Sequence, residues 1–133
     1  MNRTFTLGML DLDHFKAFND RWGHQAGDAC LRAVAEVLRH AASRHGGLAA
    51  RFGGEEFIFL LRADDAGRAQ AIAEELRVAI ERIEIEDHGA TSTATCTSSI
   101  GIALHQGPEA PNLARMLSAA DAALYRAKAD GRN

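Results

Sequence analysis

The alternation and clustering of apolar positions predict secondary structure along the whole chain. Thr4–Leu12, TFTLGMLDL, reads as a buried strand that runs out into Asp11, Leu12 and Asp13. Phe15–Asp20 suits a short helical turn, and RWGHQAGD after it reads as a glycine-punctuated loop. From Asp28 to Ala42 the apolar residues Leu31, Val34, Val37, Leu38 and Ala41 recur at helical spacing. Leu48–Phe52 and Phe57–Leu61 are short apolar runs separated only by Gly53, Gly54, Glu55 and Glu56, which predicts a tight β-hairpin. Asp64 or Asp65 caps a second helix whose buried face is Ala69, Ile72, Ala73, Leu76, Ile80 and Ile83. Ile83–Glu86 and Thr93–Leu104 read as further strands and HQGPEAP as a loop. Asn112 then opens a last helix with Leu113, Met116, Leu117, Ala120 and Leu124 on one face. Strands and helices interleave around a central hairpin, so the expected class is α/β, in the form of an α+β sandwich with one sheet and helices packed over it.

Composition narrows the possibilities without changing that outline. With 133 residues, 47% hydrophobic and 25% charged, the chain suits one globular domain over residues 1–133 with a sizeable core. No repeat, linker or low-complexity tract interrupts it. No apolar run approaches the ~18 to 20 residues of a membrane span, and MNRTFTLGML lacks the long apolar segment of a signal peptide, so no membrane contact is expected within this segment. Cys30 and Cys96 have neither metal-ligand spacing nor disulfide-scaffold density. They read as small core residues of a reducing compartment, which points to the cytoplasm. A formal charge of −3 argues against a polyanion-binding surface, so no nucleic acid partner is expected.

The candidate chemistry lies in charges that the fold itself does not ask for. Paired glycines serve a hairpin turn, but Glu has poor turn propensity, so Glu55 and Glu56 are either solubilising charges on a tip or ligands. Asp11 and Asp13 leave their strand at the end where this hairpin turns, provided the two are neighbours in the sheet. Carboxylates gathered in that way repel one another unless cations bind them, and hard oxygen ligands suit Mg²⁺ held partly by substrate phosphates. A Ca²⁺ loop in DLDHFKAFNDRW fails, because Lys16 stands where the sixth-position glycine belongs and Trp22 where the bidentate Glu belongs. The chain uses 13 Arg and only two Lys. Compact, three-donor Lys16 and Lys128 are therefore candidates for phosphate oxygens in a cramped site, although position alone gives them little weight.

Four segments together, MLDLDHFKAFNDRWGHQAGD, RFGGEEF, SSIGIA and DAALYRAKADGRN, resemble the GGDEF domain of diguanylate cyclases in its GGEEF variant, in family order and spacing across essentially the whole chain. The resemblance implies a palm-like nucleotidyl cyclase fold with a central, mainly antiparallel sheet, binding one GTP with Mg²⁺ or Mn²⁺. It implies Asp11, the Leu12 carbonyl and Glu55 as metal ligands, and Glu56 as a residue required for activity, as a second-metal ligand or otherwise. Asn19 and Asp28 match the guanine-reading pair, with His24 in the same loop at a substrate-contacting position. A carboxylate at Asp28 can accept guanine N1–H and N2–H₂ together, whereas adenine offers no such pair. The alternative for Asp28, read from the Gly-Asp placement alone, is a helix N-cap. Lys16, Lys128 and Arg132 match triphosphate contacts, and backbone N–H groups around His14 and Phe15 match a phosphate cradle.

The activity so implied is condensation of two GTP into cyclic di-GMP with loss of two pyrophosphates, across a head-to-head pair of domains. No coiled-coil heptad is present to hold such a homodimer, so a transient one is expected. The family's N-terminal helix and final strand are missing, which suggests an excised domain with an unseen regulatory partner. The inhibitory R-x-x-D motif of many relatives is degenerate, since Arg44 remains but Gly47 stands in place of the Asp. The rivals to a diguanylate cyclase are a silent GGDEF-like module that binds GTP or a partner, and a cyclase making a different nucleotide.

Overall fold

Ten residues, Arg3–Leu12, form the strand β1 against which the rest of the sheet is laid. A computed structural model describes residues 3–63, 65–86 and 93–131. After β1 come α1 (Phe15–Trp22), α2 (His24–Arg44), β2 (Leu48–Gly53), β3 (Glu56–Arg62) and α3 (Ala66–Glu81). β4 (Ile85–Glu86), β5 (Thr93–Ala94), β6 (Ser98–Gly107) and α4 (Leu113–Ala129) complete the order. The main sheet is antiparallel, in the order β2-β3-β1-β6, and β4 and β5 make a small ribbon of their own. An antiparallel sheet flanked by helices is the α/β arrangement that the apolar pattern predicts.

Period-2 alternation sorts the strands onto two cores. Leu10 and Leu12 of β1, with Phe57, Phe59 and Leu61 of β3, face the larger core, which is filled from the helices by Phe15, Phe18, Val34, Leu38, Ile72, Leu76 and Ile80. The intervening residues Leu7 and Met9 face the other way, where Met116, Ala120 and Leu124 of α4 close over them. One strand thus separates α1, α2 and α3 from α4, and parity along β1 decides which helix layer each side chain meets.

Several boundaries differ from the sequence expectation for identifiable reasons. RWGHQAGD is not a loop, because α1 runs on to Trp22 and α2 begins at His24. The whole redirection is confined to Gly23, whose φ of 93° no β-carbon obstructs. Asp28 therefore lies inside α2 and is not its N-cap, a position that Gly23 holds. The strand expected over Thr93–Leu104 is broken at 95–97, where Cys96 turns into the core, and β6 then continues to Gly107 through residues read as a loop. Leu113 is 50% exposed and does not join the buried face of α4. Asp65 caps α3, its carboxylate accepting from the Arg68 N–H at 2.8 Å, and Asn112 caps α4 in the same way at 3.1 Å. Asp64 lies outside the described residues.

The cap at Asp65 gives a direct check on this assignment. Asp65→Ala should lower the unfolding free energy by about 1 kcal/mol, read as a shifted urea midpoint at unchanged slope. An unchanged midpoint would remove Asp65 as the cap.

Candidate functional site

The end of β1 is where charge collects, and the sheet register explains why. Asp11 stands directly opposite Glu56 on β3 and Ser99 on β6. Directly opposed residues share a face, so all three side chains leave the sheet on the α4 side, in the same series as Leu7 and Met9. The neighbouring strands required for the carboxylates to converge are therefore present. Asp11 is only 5% exposed. Its Oδ2 accepts from the Lys128 ammonium, which the last turn of α4 delivers, while its Oδ1 is buried with no partner among the described residues.

The hairpin tip is built to hold its own glutamates in place. Gly54 takes φ 50° and the ladder shifts register between Arg51 and Gly53, which is the close reversal that the glycine pair permits. Arg51 Nε donates to the Gly54 carbonyl at 2.8 Å, and the Leu12 N–H donates to the Glu55 carbonyl at 3.3 Å. The second bond ties the tip of the hairpin to the end of β1. Glu55 sits in the turn and Glu56 opens β3, both half-buried.

Asp13 takes a different part from its neighbour. Its carboxylate accepts from the Thr97 and Ser99 hydroxyls, each at 2.7 Å, and its N–H donates to the Thr97 carbonyl at 2.9 Å. These bonds hold the approach to β6 against the β1–α1 junction, so Asp13 serves the fold where the sequence placed it with the candidate ligands.

A metal ion fits the remaining donors. Asp11 Oδ1 is an orphaned, buried carboxylate oxygen, and every neighbouring candidate donor is oxygen. Among the described residues no three His, Cys, Asp or Glu come together as a metal-holding group, so these side chains do not make a cage by themselves. That suits Mg²⁺, which keeps waters and substrate oxygens for the rest.

A second group of candidates lies on α1 and α2. His14 ends the β1–α1 link with φ 55°, a left-handed conformation uncommon outside glycine, and α1 starts at once. Phe15 stacks on Phe18 with centroids 5.9 Å apart and is buried, so any contact it makes with a ligand falls to its backbone N–H. Lys16, His24 and Asp28 are exposed. Asn19 is half-buried, with Oδ1 shielded and unpartnered, and Gly27 of α2 lies so close that an added Cβ would overlap that oxygen. A cleft of about 320 Å³ beside Asp28 is lined also by Leu31, Arg32, Ala35, Arg51 and Phe57, and so links the helix to the hairpin. Sequence reasoning did not pick out Arg32 or Arg51: Arg32 lies one turn beyond Asp28 on α2, and Arg51 comes from β2, brought to the cleft by the packing of α2 on β2. Arg132 lies outside the described residues.

Arg44, at the end of α2, lines a separate cavity of about 250 Å³ with His40, His45 and Glu75. Burial, then the Arg44 and Arg68 guanidinium groups, holds the His45 imidazole below its usual pKa. Gly47 has a backbone role, because a Cβ there would overlap the Leu60 carbonyl of β3. Arg77 of α3 is clamped by Glu74 and Glu81 of its own helix, at 2.6 and 3.0 Å.

Comparison with known proteins gives a consistent result. The family profile described as "Diguanylate cyclase, GGDEF domain" matches residues 1–133. Diguanylate cyclase DgcM of Escherichia coli (strain K12) is 40% identical over 129 residues, covering 97% of this chain and 30% of the relative. Diguanylate cyclase DgcP of Pseudomonas aeruginosa is 42% identical over 127 residues, covering 96% of this chain and 18% of the relative. The chain thus spans less than a third of these curated relatives. Among solved structures, the GGDEF domain of DgcB from Caulobacter crescentus in complex with c-di-GMP superposes with a TM-score of 0.86 at 37% identity, over 98% of this chain and 75% of that one. The active GGEEF domain of a diguanylate cyclase from Vibrio cholerae gives 0.82 at 28% identity, over 98% and 80%.

The Asn19–Gly27 contact can be tested without any ligand. Gly27→Ala pushes against the end of the Asn19 side chain, which can swing aside, so any loss should be modest, and the same change in an Asn19→Ala background should be more favourable by about 0.5 kcal/mol or more. Equal losses in the two backgrounds, measured as a double-mutant cycle in urea, would show that Asn19 is not what the new methyl group meets.

Proposed function

The chain belongs to the GGDEF family of diguanylate cyclase domains, and we propose that it condenses two GTP into cyclic di-GMP, releasing two pyrophosphates, with one GTP held by each of two copies facing one another. The observation that carries this reading is the unpartnered, buried Asp11 Oδ1 beside Glu56, with Glu55 tied to Leu12 at the same strand end. Asp11, the Leu12 carbonyl and Glu55 would hold Mg²⁺, with Glu56 next to them. When bound, the ion neutralises polyphosphate charge and favours ionisation of the attacking hydroxyl.

The chain's own residues do the rest of the work. Asn19 and Asp28 accept the guanine N–H donors, and His24 lies one turn from Asp28 on α2. Lys16 and the N–H groups of the first turn of α1 take phosphate oxygens, and Lys128 and Arg132 complete the cationic side. The 3′-OH of one GTP attacks the α-phosphorus of the other, pyrophosphate leaves, and the reciprocal attack closes the ring. The test is product analysis with GTP alone, ATP alone and both together. Cyclic di-GMP from GTP alone is the expected result, no product despite GTP binding would leave a silent module, and a mixed or mononucleotide product would identify a different cyclase.

Glu55→Gln keeps the shape and removes the charge, so it should abolish synthesis with the circular dichroism spectrum unchanged; more than a few per cent residual activity would remove Glu55 as a metal ligand. Asp28→Ala should weaken GTP binding and relax selection against ATP. Since Asp28 is no helix cap, its melting temperature should hold, and lost stability at unchanged GTP affinity would count against guanine reading.

Inhibition by product through Arg44 should be weak. Gly47 offers no acceptor for guanine N–H donors, and leaving them unpaired costs about 1 to 3 kcal/mol, roughly tenfold to hundredfold in affinity. Calorimetry with cyclic di-GMP is the check, and submicromolar binding lost on Arg44→Ala would overturn the expectation. Gly47→Asp is no remedy, because its side chain would have to displace the β3 backbone.

A further inference from the structure

Two thiols that the proposed reaction does not use lie in contact in the core. Cys30 of α2 is 1% exposed and Cys96, in the irregular stretch before β6, is 8% exposed. Their Sγ atoms are 3.2 Å apart, although the residues are separated by 66 positions in sequence. A disulfide bond is about 2.05 Å long, so closing this gap needs roughly 1 Å of relative movement. We propose that Cys30 and Cys96 are a reversible oxidation site, forming an intrachain disulfide with a hydroperoxide as oxidant, and that this link weakens nucleotide binding in the adjoining cleft.

The contact between the sulfurs lowers the pKa of Cys30, and at this separation each sulfur can resolve an oxidised form of the other. Either can react first, and the order begun at Cys30 stands for both. The Cys30 thiolate attacks the distal oxygen of the hydroperoxide and breaks the O–O bond; the alcohol, or water from hydrogen peroxide, leaves with a proton, and Cys30 becomes a sulfenic acid. The Cys96 sulfur then attacks the Cys30 sulfur, and the hydroxide that leaves takes the Cys96 proton as water. Two thiols lose two electrons and two protons, and one hydroperoxide is reduced to alcohol and water. A dithiol reductant reverses the change.

The link pulls on both sides of the site. Cys30 lies two residues beyond Asp28 on α2, and Cys96 adjoins Thr97, which with Ser99 holds Asp13. Gly27 already abuts Asn19 Oδ1, so α2 cannot shift without disturbing the geometry between Asn19 on α1 and Asp28 on α2. The effect on nucleotide rests on the GTP-binding reading above; formation of the link does not.

The experiment treats the reduced chain with hydrogen peroxide and follows intact mass without reductant, affinity for a non-hydrolysable GTP analogue, and amide exchange over residues 24–31. The expected result is loss of two hydrogens per chain, a Kd raised on the order of fivefold or more, altered exchange along α2, and full reversal by dithiothreitol. Cys30→Ser and Cys96→Ser should each bind the analogue like the reduced chain and keep that affinity after peroxide. Sulfinic acid or interchain dimers formed without the intrachain link would overturn the proposal. So would a complete link that leaves both Kd and exchange unchanged. A reduced chain that does not bind the analogue would instead count against the proposed function, while mass and amide exchange still decide the link and its effect on α2.

Discussion

A buried carboxylate at the end of the central strand is tolerable only with a countercharge, because taking an ion out of water costs several kcal/mol even after relaxation. Asp11 meets that requirement with Lys128, 117 positions away, at the far end of the last helix. The pair closes the chain on itself. α4 is already laid over Leu7 and Met9 by Met116, Ala120 and Leu124, so the apolar contacts set the height of the helix and the ion pair sets where its last turn stops. Removing Lys128 would leave the Asp11 carboxylate buried without its countercharge, directly opposite Glu56. The acidic end of β1 and the basic end of α4 are in this sense one structural unit, and the same unit forms the cationic wall of the proposed triphosphate site.

The parts of the fold that could be read from the sequence are those whose causes are local. Alternation in TFTLGMLDL and EFIFLL specifies strands, the double glycine specifies the hairpin, and Asp65 and Asn112 announce the helices they cap. The pairing of β1 with β3, on which the approach of Asp11 to Glu56 depends, is a condition that the sequence left open. What escaped depends on contacts between distant residues. Nothing near Asp13 in sequence says that Thr97 and Ser99 will engage it, and nothing near Asp11 marks Lys128 as its partner. The glycines in RWGHQAGD looked like loop punctuation because local propensity weighs Gly against helix. Gly27 is tolerated in α2 because Asn19 occupies the space where a side chain would go.

Gly47 makes the same point in reverse. By comparison of motifs it is a missing acceptor, a loss of function at a degenerate inhibitory site. By packing it is a close approach, with the backbone after α2 lying against Leu60 as the chain enters β2, and its N–H donates to the Ala42 carbonyl at 2.8 Å. The residue is required by the local path of the backbone whether or not a ligand binds nearby. Comparison of motifs cannot separate those two reasons, whereas the distance to β3 can.

The two groups of candidate residues lie on opposite faces of the sheet yet meet at one end of it. Parity puts Asp11, Glu56 and Lys128 on the α4 side, while Asn19 and Asp28 belong to helices packed on the other side. They are brought together by the abrupt start of α1. Asp13 and His14 are the only residues between β1 and that helix, and the left-handed turn at His14 reverses the chain within that span. A longer or more relaxed connection would carry α1 away from the strand end, and a nucleotide could not then reach the carboxylates and Asn19 at once. Under the proposed function, the base lies toward α1 and α2 and the phosphates lie over the ends of β1 and β3. The energetic cost of holding His14 at positive φ, of order 1 kcal/mol or more, is then the cost of keeping both halves of one ligand site in register.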